Sequence, residues 1–227
     1  MKVVYSIPTR IGASGLGVDS FEALQGIYAR GYLTRAVAYE NWQKEIPASL
    51  IRTLGIGPYT TFSNFPARYY YPMKMKALDR VAVRVLREGA DLFHGWSSSS
   101  LRSLRYCREE GIISFMENPA PHFRYVDEIM GAEYDSLGIR WKKAPEFFPR
   151  FFGLGPDYKQ GEYEAAQYLI LESEFTRDTF LTHGLPASKL FVLPRGVDTV
   201  RFRPPEGPRP DRPFRVVFFG PIGVRKG

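Results

Sequence analysis

The chain has 227 residues, 44% apolar and 24% charged, which excludes a disordered chain and allows one sizeable core or one domain with an appended piece. A single cysteine, Cys107, excludes an intramolecular disulfide framework and fits a reducing compartment. The formal net charge of +7 permits phosphate-bearing ligands or anionic surfaces, but the basic residues are dispersed rather than run together, so charge alone assigns no partner.

The chain opens without a signal pattern and contains no apolar run long enough to span a membrane, which reads as a cytoplasmic protein. Residues 2–7 form the first candidate strand and lead into a loop carrying Gly12, Gly15 and Gly17. Asp19 or Ser20 can cap a helix running to about residue 30, with Gly31 as its stop. Residues 36–39 are a second strand. The proline-, glycine- and aromatic-rich stretch 40–72 predicts irregular structure with a short helix near 48–54. Leu78, Val81, Val85 and Leu86, spaced by three and four, predict a helix over 73–87.

Residues 91–94 are a short strand, and the serines at 97–100 can cap the helix that continues to Glu110. Gly111 breaks that helix, and 112–116 is the next strand. A helix over 124–137 and an irregular stretch over 141–158 follow. Residues 162–166 lead into a strand at 168–171; Ser173 caps a helix ending near Gly184, and 190–193 is another strand. The stretch 204–213 holds five prolines, a linker composition, and beyond it 214–219 is a fresh apolar strand ending at Gly220. Short apolar runs alternating with amphipathic segments predict an α/β fold: a Rossmann-like parallel sheet with helices on both faces. The expected division is a domain over 1–203, a linker over 204–213, and the first strand and phosphate loop of a truncated second domain over 214–227.

Several motifs have two readings. Gly12, Gly15 and Gly17 lie between a strand and a helix, which suits phosphate contact or a tight turn, although Ser20 stands where a dinucleotide fingerprint has its third glycine. Gly95 to Ser99 resembles a nucleophile elbow without its closing glycine, which favours helix capping over a serine hydrolase. His94 and His122 both follow strands, where ligands of parallel sheets bind, whereas His183 ends a surface helix. No histidine spacing suggests a metal. Arg225 and Lys226 follow a glycine-containing turn and could neutralise a departing diphosphate.

Taken together, three stretches resemble the family-4 glycosyltransferases of GT-B architecture. Ser173-Glu174-Phe175, then Gly184 and Lys189-Leu190, then Pro194-Arg195-Gly196-Val197-Asp198 with Phe202 and Pro204, is similar to the family's Ser-Glu-Phe helix and its Pro-x-Gly-Val-Asp-x-x-x-Phe-x-Pro run. Residues 214–227 resemble the opening of the family's donor domain, though Pro221 stands where many members carry Arg. Residues 111–133, with Glu117, His122 and Glu133, resemble its acceptor-domain loop.

The resemblance implies retaining transfer from a nucleotide-diphosphate sugar to an acceptor hydroxyl, without an essential metal or other cofactor. His122 would face the transferring sugar, and Glu117 would orient the loop or the acceptor. Gly15 and Gly17 would approach the diphosphate, and Arg225 with Lys226 would neutralise it on departure. The acceptor could be a lipid, a glycan or a small molecule. Nucleic acid is not expected as a partner, and the charge with the aromatic stretch 65–73 leaves room for peripheral membrane contact. Because the family's donor-binding acidic residues would lie beyond residue 227, the chain alone is expected to turn over little or not at all. The alternative is a non-catalytic Rossmann-like module binding a glycan, a phosphorylated ligand or a partner protein.

Overall fold

The computed structural model describes residues 1–55, 67–139, 154–204, 206–207, 213–220 and 223–224. Seven strands form one parallel sheet: β1 (Val3–Ile11), β2 (Leu33–Asn41), β3 (Ile51–Thr53), β4 (Leu92–Trp96), β5 (Ile113–Asn118), β6 (Tyr168–Leu171) and β7 (Leu190–Val192). Their order is β3-β2-β1-β4-β5-β6-β7. Among the described residues six helices connect them: α1 (Leu16–Ala29), α2 (Ala67–Leu86), α3 (Leu101–Glu110), α4 (Phe123–Ser136), α5 (Pro156–Ala165) and α6 (Glu174–Thr182). This is the expected Rossmann-like α/β sheet. The direction of winding reverses between β1 and β4, and in sheets of this kind the ligand crevice lies outside the carboxyl ends of the strands at that point.

Strand alternation divides the core in two. Val4, Val37, Phe93, Met116, Leu169 and Leu171 point to the face packed by α2, α3, α5 and α6. Tyr5, Ile7, Ala36, Ala38 and Trp96 point to the other, where Leu24 of α1 meets them. On that second face Phe115 stacks on Tyr168, 5.2 Å between ring centroids, and Phe191 edges against both.

Four local expectations change. Gly15, with φ of 68°, is the N-cap of α1, while the Ser20 hydroxyl donates to the Gly17 carbonyl at 2.7 Å and Asp19 sits inside the first turn. Residues 48–54 form a single 3₁₀ turn, Ala48–Leu50, and then β3, because Ile51 is buried against α1's side of the sheet. Helix α2 begins at Ala67 and carries Pro72 within it, and α5 begins at Pro156, inside the stretch expected to be irregular.

The fourth concerns the serines before α3. The Ser99 and Ser100 hydroxyls both donate back to the Trp96 carbonyl, at 3.1 and 2.8 Å, so they cannot cap the helix ahead of them. Two carboxylates from other helices serve instead. Glu162 of α5 accepts from the Ser98 and Ser100 amides at 2.7 and 2.8 Å, and Asp79 of α2 accepts from Arg102 and Ser103 at 2.8 and 2.9 Å. Burial pushes both carboxyls above their ordinary range, Glu162 to about 8, while the amide bonds oppose that rise and tie three helices together.

Residues 213–220 run without a ladder partner among the described residues, and Phe214, Val216, Val217, Phe218 and Phe219 are all exposed.

Candidate functional site

The crevice is built from the residues that close β1, β4, β5, β6 and β7. After β1 the chain turns sharply into α1. Gly12 and Gly15 both adopt positive φ, 82° and 68°, which favours glycine. A side chain on Gly15 would meet open space, whereas a Cβ on Gly17 would lie 2.4 Å from the Arg10 carbonyl oxygen. Gly15 therefore leaves the mouth of the loop bare, and Gly17 lets α1 press against the end of β1.

His94 of β4 lies diagonally from Glu117 of β5, whose register partner is Trp96, with His94 Nε2 3.2 Å from Glu117 Oε2. The His94 ring also meets Tyr5 edge-on at 5.0 Å, and the Tyr5 hydroxyl accepts from Trp96 Nε1 at 2.9 Å. A half-buried histidine bonded to a carboxylate can hold or pass a proton at that imidazole.

A second polar group lies at the same edge. Arg195, after β7, donates through Nε to Glu172, after β6, at 2.6 Å, and its guanidinium also pairs with Asp19 of α1. The arginine thus links the far strands to the helix that begins at the glycine loop. Partial burial, and then the nearby Glu117 charge, push the Glu172 carboxyl above its ordinary range.

His122 sits elsewhere. It is 1% exposed and forms the N-cap of α4, with Nδ1 accepting from the Arg124 amide at 3.3 Å. Its ring lies parallel to His183 at 4.3 Å and meets Phe123, Tyr163 and Phe180 at 4.9 to 5.1 Å. Those three aromatics belong to the core on the face away from α1. Burial first, then His183, Arg124 and Lys159, lower its pKa to about 4, so the ring is neutral. Nε2 is buried without a hydrogen-bond partner. The structure therefore pairs Glu117 with His94, links Glu172 through Arg195 to Asp19 in the first turn of α1, and leaves His122 in the neighbouring core. Arg225 and Lys226 lie outside the described residues.

No family model matches the chain, and no curated protein does. Among solved structures it resembles WaaG, a glycosyltransferase involved in lipopolysaccharide biosynthesis, with a TM-score of 0.48 at 14% identity. That match covers 88% of this chain and 46% of WaaG. It also resembles UDP-GlcNAc 2-epimerase from Neisseria meningitidis bound to UDP-GlcNAc, with a TM-score of 0.46 at 12% identity, over 85% of this chain and 45% of that one. A further UDP-N-acetylglucosamine 2-epimerase gives 0.41 at 8%, over 85% and 47%. The chain spans about half the length of each of these structures.

Sequence reasoning singled out His94 by position but gave it no role, and it passed over Glu172 and Arg195 as site residues. The usable signal was shared: each closes, or immediately follows, a predicted strand of a parallel sheet. What it lacked was the sheet order, which decides which strand ends are neighbours. Among the described residues, no group of three His, Cys, Asp or Glu side chains could hold a metal, and no helix is long and apolar enough to cross a membrane.

Proposed function

We propose that this chain is the acceptor-side half of a GT-B glycosyltransferase, acting on a nucleotide-diphosphate sugar with retention at the transferred carbon. The observation that carries the reading is that the His94–Glu117 and Arg195–Glu172 pairs both lie at the carboxyl ends of the strands, with Arg195 also paired to Asp19 of the helix that follows the glycine loop. Arg195 falls inside the Pro194–Asp198 run that carries the family resemblance, so the motif and the crevice coincide.

In this reading the Gly15 and Gly17 backbone approaches the diphosphate, and Arg225 with Lys226 stabilises its departing charge. Glu117, held by His94, orients the acceptor hydroxyl. His122 meets the transferring sugar, where positive charge develops at the reacting carbon. Its orphan Nε2 is a group that a ligand would satisfy, but contact requires the cover of Tyr163 and His183 to part. Residues 214–227 open the donor-side domain, which fits the exposed apolar side chains of 214–219.

A second reading, a non-catalytic binding module, is favoured by two observations: His122 is covered, and Arg195 is already neutralised by Asp19 and Glu172. Turnover separates the two. Joined to its donor-side half and incubated with a panel of nucleotide-diphosphate sugars, the chain releases nucleoside diphosphate, and Glu117→Gln and His122→Asn each lower that rate by roughly a hundredfold while melting stays cooperative. Release that is absent from the parent, or within a few-fold of it in both variants, removes the catalytic assignment.

A further inference from the structure

The carboxyl ends of β1 and β2 and the first turns of α2 enclose a recess of about 580 Å³, lined by Arg10, Tyr39, Trp42, Tyr70, Tyr71 and Lys74 among others. Its charge is unbalanced. Arg10 pairs with Glu40 at 2.9 Å, and Trp42 Nε1 donates to the other oxygen of the same carboxylate at 3.0 Å. Despite the partial burial that opposes ionisation, these bonds, Arg10 and Lys74 together hold Glu40 below the ordinary carboxylate range. That leaves Lys74.

Lys74 is 9% exposed, and its Nζ lies 4.1 Å from the centre of the Tyr39 ring and 5.5 Å from that of Tyr70. It makes no ion pair among the described residues. Ring faces attract an ammonium, but they replace neither its hydration nor a counter-charge. The Tyr39 hydroxyl beside it is buried and has no hydrogen-bond partner. A cation without an ion-pair contact among the described residues and a buried hydroxyl without a hydrogen-bond partner thus line one recess, and an anionic oxygen can accept from both.

The outer wall has a different character. Trp42 and Tyr71 are more than half exposed, and the Arg10 guanidinium lies 5.3 Å over the Trp42 ring. Exposed aromatic faces of this kind suit the C–H face of a small polar ring better than a hydrocarbon chain, which would leave Lys74 without a counter-ion. The volume is that of a small-molecule site.

We propose that this recess binds a monosaccharide carrying an anionic group, phosphate or carboxylate, with the anion on Lys74 and Tyr39 and the sugar ring against Trp42 and Tyr71. Ala13 and Ser14 line both this recess and the glycine loop. On the glycosyltransferase reading the occupant is therefore the acceptor; the binding itself does not depend on that reading.

The test is calorimetric titration of the protein with glucose 6-phosphate, glucuronate, glucose and inorganic phosphate. Glucose 6-phosphate or glucuronate binds, and glucose and phosphate bind at least roughly tenfold more weakly, since each supplies half of the contact. Lys74→Gln weakens that binding roughly tenfold or more. Tyr39→Phe is the sharper variant: removing an unsatisfied buried hydroxyl raises the Tm of the free protein while weakening the sugar anion severalfold. Failure of both anionic sugars to bind overturns the proposal, as does binding that Lys74→Gln and Tyr39→Phe leave unchanged. A parallel titration with nucleotide-diphosphate sugars keeps the readings apart. Anionic sugars that bind while every nucleotide sugar fails would leave the recess standing and remove the donor reading; the converse would remove the recess alone.

Discussion

His122 shows how one side chain can carry two opposed expectations. Sequence position makes it a candidate for the transferring sugar, and folding buries it as a cap and a stacking partner for His183. Its physical signature is a lowered proton affinity. The ordinary value is 6.5 and the folded value about 4, so below 6.5 the unfolded chain takes up a proton that the folded chain refuses. Its contribution to stability is complete above that pH and is lost as pH falls towards 4. In His122→Phe, thermal melts should therefore show a smaller drop in Tm between about pH 7 and about pH 4 than in the parent. An unchanged drop would mean that the ring already exchanges protons with solvent, as an open catalytic histidine would. Neither its stacking nor its cover was legible beforehand, because both depend on Tyr163 and Phe180, which lie 41 and 58 residues further on.

At the scale of elements, the strong periodicities were legible. The Leu78–Val85 spacing marks α2, Gly111 stops α3 in a left-handed turn, and Ser173 caps α6 through the Thr176 amide. The misreadings share one cause, which is that tertiary contact overrode a local rule. Pro72 argued for a later start to α2, yet Tyr70 and Lys74 on either side of it pack against Tyr39 or its ring neighbours. The serines before α3 looked like caps, yet the carboxylates of Asp79 and Glu162 took that role from a distance. Asp79 is 1% exposed and holds two amides and the Ser103 hydroxyl. Asp79→Ala should then cost about 2 to 3 kcal/mol in urea unfolding, because it strands buried donors. Ser99→Ala should cost well under half of that; equal losses would return the cap to the serines.

At the scale of the molecule, alternation of strand and helix was enough to predict the parallel sheet, but not the order of its strands. That order decides function here. It sets β1 beside β4 and β4 beside β5, and so Tyr5 beside His94 and His94 within reach of Glu117, while the order of residues along the chain only says that His94 and Glu117 end their strands. Charge behaved likewise. Basic residues dispersed along the chain converge in the fold, where Arg80 and Arg84 of α2, and Arg87 just after it, meet Arg102 and Arg105 of α3 around one recess with Glu109. The account's central claim is that the crevice at the β1–β4 reversal receives the nucleotide-diphosphate sugar. The most direct measurement is backbone amide chemical-shift mapping during titration with such sugars. The account predicts saturable shifts concentrated on residues 12–17, 94–97, 117, 172 and 195; saturable shifts confined to other surfaces, or none with any sugar nucleotide, would contradict it.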